Sequence, residues 1–409
     1  MDNENYASNT ITDTEVVIIG GGLAGIFSAI NLSNQGIPHI LIDNPLPDAK
    51  SRLGGFARFS GAKFSLPPAG MGLVHVAGSE IRLSEAIEKI LKILSLEQKN
   101  TALSSDNFVE LSSNATLRKY SSIVLSPTEI DILLDKLDHK VRSSTRIIAG
   151  KATHIVKSKE GWSVRIDNGQ EIEKTITCST VFYAAGRLSN NIIAAAGALP
   201  TTGKGLDIGV RVEFLSKDGV SGLRSYGPDA KILNGNCRTF CLNSPGTIYR
   251  YDYLSGSIPG GVVADDTINT ANVGILCRTS DKDLILQNFR NTAYLSHKDL
   301  LLESDIVRKS EQEFTIPSIM RNLFGDKIVN ELEQFGRMLD SCKLWDTRMD
   351  HKIHLPLLDW HWSTFALPES HKTTEPGLYA LGDSSGHARG LLQAAISGWF
   401  AAEEYGDVR

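Results

Sequence analysis

One stretch, Glu15-Val-Val-Ile-Ile-Gly-Gly-Gly-Leu-Ala-Gly25, constrains the fold of this chain more than any other. A continuous β-branched run such as Val16–Ile19 reads as a strand buried on both faces of a parallel sheet. Gly20, Gly22 and Gly25 then match G-x-G-x-x-G. The first allows a tight turn, the second lets the backbone approach a pyrophosphate, and the third lets the next helix pack closely on the strand. Leu23 and Ala24 open that helix, expected over residues 23–35 with Ala29, Ile30 and Leu32 facing inward. Its free N–H groups and partial positive charge suit phosphate. A second strand, His39–Asp43, ends in a carboxylate 18 residues after Gly25 and is followed by Asn44. That carboxylate stands where a ribose hydroxyl partner belongs. A glycine-rich turn in some other α/β protein would leave Asp43 unexplained.

More than 350 residues later the chain reads Gly377-Leu-Tyr-Ala-Leu-Gly-Asp383-Ser-Ser-Gly386, then His387-Ala-Arg389-Gly390-Leu-Leu-Gln-Ala-Ala395. This segment resembles the strand and helix that reach the flavin end of FAD in the glutathione-reductase-like superfamily. Two further segments carry the same resemblance. Arg52-Leu-Gly54-Gly55-Phe56-Ala-Arg58 is similar to its R-x-G-G-R motif, with Phe56 where the last arginine would fall. Thr180-Val-Phe-Tyr-Ala-Ala185-Gly186-Arg187 is similar to its A-T-G turn, with Ala185 in place of Thr. The resemblance implies non-covalent FAD touching Arg52, Gly54, Gly55, Phe56, Ala152, Ala185, Gly186, Gly382 and Asp383. It also implies a helix, opened by Gly390, Leu391 and Leu392, whose positive end faces the flavin N1–C2 carbonyl edge. His75 or Cys342 would be the attachment point if the flavin were covalent, but nothing in the sequence marks either.

The middle of the chain narrows the likeness. Gly203–Glu213 and Cys237–Gly246 resemble the D-I-G-V-R-x-E and R-T-F-C-x-x-P-G-G segments of a bacterial and archaeal family of FAD-dependent dehydrogenases. Asn269–Asn272 echoes an asparagine-rich turn of that family, while Ser244 and Thr247 depart from its pattern.

The expected fold class is α/β: a Rossmann-type FAD-binding domain (parallel sheet with a β-meander) plus a discontinuous α+β substrate or cap domain. The first would take residues 15–80, 140–205 and 370–409, the second 206–369, with a helical insertion at 81–139. Alternating apolar segments at 146–156, 161–167 and 170–178 read as the meander. Ile87, Ile90, Leu91 and Leu94 recur at helical spacing, and Ser126-Pro-Thr-Glu129 is a helix start. Asp207–Phe214 reads as a strand of a second sheet with 239–242 and 247–253 beside it. Residues 280–342 read as helices capping the pocket.

Composition excludes several classes. With 409 residues, 42 basic against 47 acidic and a net charge of −5, there is no electrostatic case for nucleic acid or an anionic membrane. No apolar run reaches the ~18 residues of a membrane span, and residues 1–14 lack the apolar stretch of a signal peptide. Five irregularly spaced cysteines fit a reducing cytoplasm. Oligomeric state leaves no mark in the sequence.

The expected function is an FAD-dependent oxidoreductase of the dehydrogenase or oxidase type, moving hydride between a small organic substrate and FAD between two domains. The alternatives are a flavin-dependent monooxygenase, an NAD(P)H-reducible reductase with NAD(P)H as transient donor, or structural FAD in a binding protein. An NAD(P)-dependent enzyme without flavin is a further rival. The monooxygenase ranks lower here because only 26 residues follow Asp383. No second G-x-G-x-x-G and no C-x-x-x-x-C pair favours a disulfide reductase. Catalytic candidates are Lys63, Arg211, His387 and Arg389. Lys63 is either a surface lysine or a contact to flavin or a substrate carboxylate. Arg211 points away from Val210 and Val212, to solvent or to a cavity. His387 either caps a helix or works as acid and base. Cys237 and Cys241, ~13 Å apart on an extended strand, read as separate buried thiols. Asp359-Trp360-His361-Trp362 partly matches the W-x-W-x-I-P of flavin-dependent halogenases, lacks the Ile-Pro, and reads as packing or pocket lining.

Overall fold

Val16, Val17 and Ile18 are fully buried at the centre of a seven-stranded sheet, as a strand covered on both faces must be. In the computed structural model, residues 10–44, 52–97, 108–112, 115–118, 121–169, 174–187, 190–203, 205–253, 256–291 and 313–409 are described. The sheet runs Arg146–Ala149, His39–Asp43, Thr10–Ile19, Lys174–Tyr183, Gly161–Asp167, Lys151–Ser158, with Leu378–Ala380 also paired to Lys174–Tyr183. Thr10–Ile19 lies parallel to both neighbours, with Ile19 opposite Tyr183, while Tyr183 is opposite Ala380. The parallel strands therefore end together, and their carboxyl edge collects the turns that follow them.

The meander differs from its sequence reading in two ways. The 146–156 segment breaks at Gly150, whose φ is +155° and where a Cβ would stand 2.7 Å from the Ile166 side chain. Its first half joins the parallel sheet and its second half the meander. Of the 170–178 segment, 170–173 lie outside the described residues; the remainder and the strand before Ala184 are one continuous strand, Lys174–Tyr183. It runs antiparallel to Gly161–Asp167 at its start and parallel to Leu378–Ala380 at its end.

The helix Leu23–Asn34 packs on Leu391–Val408 with the backbones touching. A Cβ at Gly398 would overlap Ala24 O, while Ser28 Oγ donates to Gly398 O at 3.2 Å and Asn31 Nδ2 to Trp399 O at 2.8 Å. Ile26, Phe27, Ile30, Leu392, Ile396 and Phe400 fill the seam. Each such side chain contributes ~1.5–3 kcal/mol relative to exposure.

The stretch read as a helical insertion holds helices Glu80–Leu94 and Pro127–Arg142, the latter with the expected capping box between Ser126 and Glu129. It also holds strands. Phe108–Ser112 and Ala115–Arg118 extend the second sheet, and Ser122–Val124 pairs with Lys63–Ser65. Runs of three to five residues are too short to show a period of two.

The second sheet is antiparallel: His351–Asp359, Leu206–Phe214, Ala271–Thr279, Cys237–Asn243, Lys231–Asn234, Ala115–Arg118, Phe108–Ser112. Ala271–Thr279 thus separates two strands that the sequence reading placed side by side. Among the described residues Gly246–Tyr253 pairs only with Gly256–Val263, as a separate hairpin. Val210, Val212, Val273 and Ile275 meet Leu332, Phe335 and Leu339 of the helix Asp326–Ser341 on one face. The helix Asp326–Ser341 therefore backs the sheet, while the helix Lys282–Asn291 reaches the other side, where Lys282 Nζ donates to Trp362 O at 3.2 Å and Phe289 lies 6.1 Å from Tyr253. The other face carries Asp207, Arg211, Arg238 and Phe240 and looks toward the turns of the first sheet.

Candidate functional site

Four turns converge at the carboxyl edge of the first sheet. Gly20 has φ +106°, and a Cβ there would stand 2.5 Å from Ala184 O. Only glycine fits so close a strand-to-strand approach. A Cβ at Gly25 would overlap Gly20 O, which is the helix-on-strand contact expected of the third glycine. Gly22, by contrast, caps the helix and has open space where its Cβ would be. Gly54 N donates to Gly21 O at 2.8 Å, and a Cβ on Gly55 would meet Gly22 Cα at 3.2 Å, so the second Gly-Gly turn closes on the first. Ala184 N donates to Ile19 O at 2.8 Å, setting Ala185 and Gly186 beside Gly20. Gly382, at φ +63°, comes against Ala24.

These turns form a cradle that fits a dinucleotide. Gly22 leaves room at the N-terminus of Leu23–Asn34, where four backbone N–H groups lack helical partners. Arg52 Nε is buried without a hydrogen-bond partner among the described residues. Asp43 accepts from Gly21 N at 2.7 Å; burial raises its pKa, and that hydrogen bond opposes the rise. Asn44 follows it, exposed. Arg52 bonds Asp135 at 2.6 Å and Arg58 bonds Asp135 at 3.1 Å, tying the Gly-Gly turn to the helix Pro127–Arg142. Leu23, Ala24, Ala152 and Leu392 are core side chains, so they offer a ligand backbone or shape rather than polar groups, and Leu391 is half-buried beside them.

Between these turns and the second sheet lies a chamber walled by arginines and aromatic rings. Arg187 follows Gly186, reaches Asp383 at 3.3 Å and lies over Trp362 at 4.9 Å. Arg389 lies 5.0 Å from the Phe240 ring and 5.3 Å from Trp360. Trp360 and Trp362 stack at 5.3 Å, and Trp362 Nε1 donates to Asp383 O at 2.9 Å. The Trp-x-Trp segment is thus a wall tied to the Gly382–Asp383 turn. Phe56 meets Tyr251 edge-on at 5.6 Å, which brings in the hairpin.

A chain of charges crosses the chamber. Asp207 bonds Arg278 at 2.9 Å and Arg238 at 2.6 Å; Arg238 bonds Asp359 at 2.7 Å; Asp359 bonds Arg389. Burial alone would raise the Asp359 pKa, but Arg389, Arg238 and Arg187 outweigh it and hold the carboxyl well below its ordinary range. His361, beside them, is pushed down to about 3 by burial and then by Arg187. Among the described residues neither of its buried ring nitrogens has a hydrogen-bond partner. Lys231 is pushed down to about 8, chiefly by burial and then by Arg238.

The catalytic candidates sort differently from expectation. Arg211 is 1% exposed and so does not face solvent. It donates to Asn272 Oδ1 at 2.9 Å, Cys241 O at 3.1 Å and Pro259 O at 3.3 Å, which clamps the hairpin to the sheet. Lys63, its side chain 9% exposed, is bonded to Asp229 at 3.1 Å and to Leu242 O; it ties the Lys63–Ser65 strand to the second sheet and is no surface lysine. His387 sits among His75 at 5.0 Å and His371 at 5.2 Å. Below them, His371 Nε2 and Ser397 Oγ are 2.8 Å apart, and Ser397 Oγ accepts from Gly382 N at 3.0 Å. This histidine group supports the Gly382 turn. Of the four candidates Arg389 meets both Phe240 and the two tryptophans, while Arg211 lies 5.7 Å from the Phe240 ring. Cys241 has φ +49° and sits at a bulge, and Cys237 lies opposite Cys277 instead. Sequence reasoning missed Arg187, Arg238 and Lys231 as site residues, and read Asp359 and His361 only as part of a packing or pocket-lining segment. Arg187 had a signal, its place directly after the Ala-Gly turn. The others depend on which sheet face they take.

A family model described as "FAD binding domain" matches residues 13–51. No curated protein sequence matches the chain. Among solved structures the chain is similar to the flavin-dependent brominase Bmp2 (14% identity, TM-score 0.48, 97% of this chain and 79% of that one). It is also similar to a geranylgeranyl bacteriochlorophyll reductase-like protein from Thermoplasma acidophilum (13%, 0.46, 97% and 78%). A third is the p-nitrophenol 4-monooxygenase PnpA from Pseudomonas putida DLL-E4 (12%, 0.45, 97% and 80%). Among the described residues no helix is long and apolar enough to cross a membrane. With the glycine cradle, the matched segment makes the chain a flavoprotein with a Rossmann-type FAD-binding domain.

Proposed function

We propose that the chain is an FAD-dependent monooxygenase acting on an aromatic or extended apolar molecule that carries an acidic group. This reading replaces the dehydrogenase reading suggested by the sequence. The observation that carries it is the chamber wall, where Arg187 and Arg389 lie over Trp360, Trp362, Phe240 and Tyr251. Rings and an aliphatic floor would hold the body of such a substrate, and guanidinium groups its anion.

Bound FAD would supply the two-electron chemistry. The protein's share is to hold, dry and polarise. The helix N-terminus at Gly390 would offer a partial positive charge to the reduced ring. The aromatic walls exclude water, which strengthens each guanidinium's hold on an anion. A dehydrogenase also needs a base beside the carbon that gives up hydride. Asp207, Asp229, Asp359 and Asp383 are all bonded to arginine or lysine, and His361 at about 3 is too weak a base near neutral pH. One observation favours the dehydrogenase reading: Lys231, pushed down to about 8, is poised to take a proton.

The test is FAD-loaded protein given NADH or NADPH under labelled dioxygen with a panel of aromatic acids and phenols. Label in an organic product supports the monooxygenase. Oxidation of a substrate without nicotinamide, under anaerobic conditions with an artificial acceptor, would restore the dehydrogenase.

A further inference from the structure

Away from the chamber, on the helix-covered face of the second sheet, three metal-ligating groups meet. Cys237 and Cys277 are cross-strand partners. Arg278 N donates to Asn236 O at 2.9 Å, which makes the cysteine pair a non-hydrogen-bonded one, the kind whose side chains approach closest. The helix Asp326–Ser341 packs over them and presents Glu331, and Cys277 Sγ donates to Glu331 Oε2 at 3.2 Å. The two sulfurs and the carboxylate oxygen all lie within 4.8 Å of one another.

We propose that Cys237, Cys277 and Glu331 form a binding site for a Zn²⁺-class divalent cation, separate from the flavin chamber. Tetrahedral zinc with sulfur at ~2.3 Å and oxygen at ~2.1 Å separates its ligand atoms by ~3.5–3.8 Å, so the trio needs only a small inward movement. Binding would displace both thiol protons to solvent and leave two thiolates and one carboxylate around the dication. The fourth position would open on a cavity of about 470 Å³ lined by Asn234, Asn236, Gln334 and Met338 as well as Cys237 and Glu331, with room for water.

The side-chain alternation of Cys237–Asn243 sets this site on the face opposite Arg238 and Phe240. It would pin the helix to the strand that carries those chamber residues, a structural clamp rather than a part of flavin chemistry. A cross-strand disulfide is the competing fate of the two sulfurs. It leaves Glu331 without a purpose.

FAD-loaded, metal-stripped protein kept in a non-thiol reductant would be titrated with Zn²⁺ against a chromogenic chelator, and with Co²⁺ while following thiolate charge-transfer absorption. One equivalent per chain is expected, with charge-transfer bands. Cys277→Ser and Glu331→Gln should each weaken binding by more than ~10-fold; Cys342→Ser should not. The flavin spectrum of each variant reports whether the fold is kept. Should Cys277→Ser fail to fold, Glu331→Gln and the Zn²⁺-dependent protection of Cys237 and Cys277 from alkylation, read by peptide mass, carry the test. No bound equivalent, equal affinity in Glu331→Gln, or a Cys237–Cys277 disulfide in the reduced preparation would overturn the site.

Discussion

The carboxylate of Asp359, fully buried at the end of the second sheet, is bonded to the guanidinium of Arg389, in the turn that opens the Leu391–Val408 helix. This pair joins the second sheet to the turn before the Leu391–Val408 helix. Arg238 shares the same carboxylate at 2.7 Å, so removing that charge would leave two half-buried guanidinium groups each short of a partner. Asp359→Asn is expected to destabilise the protein by ~3–5 kcal/mol, read by denaturant unfolding at neutral pH. A loss under ~1 kcal/mol would mean that water reaches the arginines.

The same pair has a pH signature. The folded pKa of Asp359 is depressed, so its contribution is fully present above the unfolded value of ~3.9. It is lost as pH falls through the lower folded value. Wild type should therefore lose stability more steeply below pH ~4 than Asp359→Asn does, as thermal melts across that range would show.

Lys231 predicts the opposite limb. Its folded pKa of about 8 lies below its unfolded value, so the unfolded chain holds the proton between the two and stability should rise with pH there. Lys231→Met should remove that rise. Parallel stability curves for the two proteins from pH 7.5 to 10 would contradict the burial of this amine.

Gly22 separates folding from cofactor binding. Its φ of −73° is ordinary and nothing crowds its missing Cβ, so Gly22→Val should keep the fold by circular dichroism. The valine would fill the space a pyrophosphate needs, and the flavin-to-protein absorbance ratio should fall by more than ~10-fold. Retained flavin would place the phosphates elsewhere.

Gly398 tests the helix crossing. An added methyl would overlap Ala24 O, so Gly398→Ala must push the two helices apart, at ~1–3 kcal/mol. A lowered unfolding midpoint with weakened FAD retention is expected, because Ala24 borders the phosphate loop.

Asp43, the glycine turns and the Ser126 capping box were legible because each is a local device: a few consecutive residues carry the whole physical requirement. The same holds for the apolar run Val16–Ile19. Ala115–Arg118 and Ala271–Thr279 were not read as sheet strands, since short or doubly buried strands show no alternation. Lys63 and Arg211 were misjudged for a related reason. Alternation says that Arg211 opposes Val210, but not that a hairpin carrying Pro259 covers it.

By itself the sequence determined the dinucleotide-binding turns: turn chemistry and strand burial are encoded within a few residues of Gly20, Gly54 and Gly382. Tertiary structure alone decided what surrounds those turns. Asp359 meets Arg238 and Arg389, and Cys277 meets Cys237 and Glu331, only because antiparallel register and sheet packing bring together residues that stand far apart in the chain. Register follows from summed burial across whole strands, and no single motif records that sum.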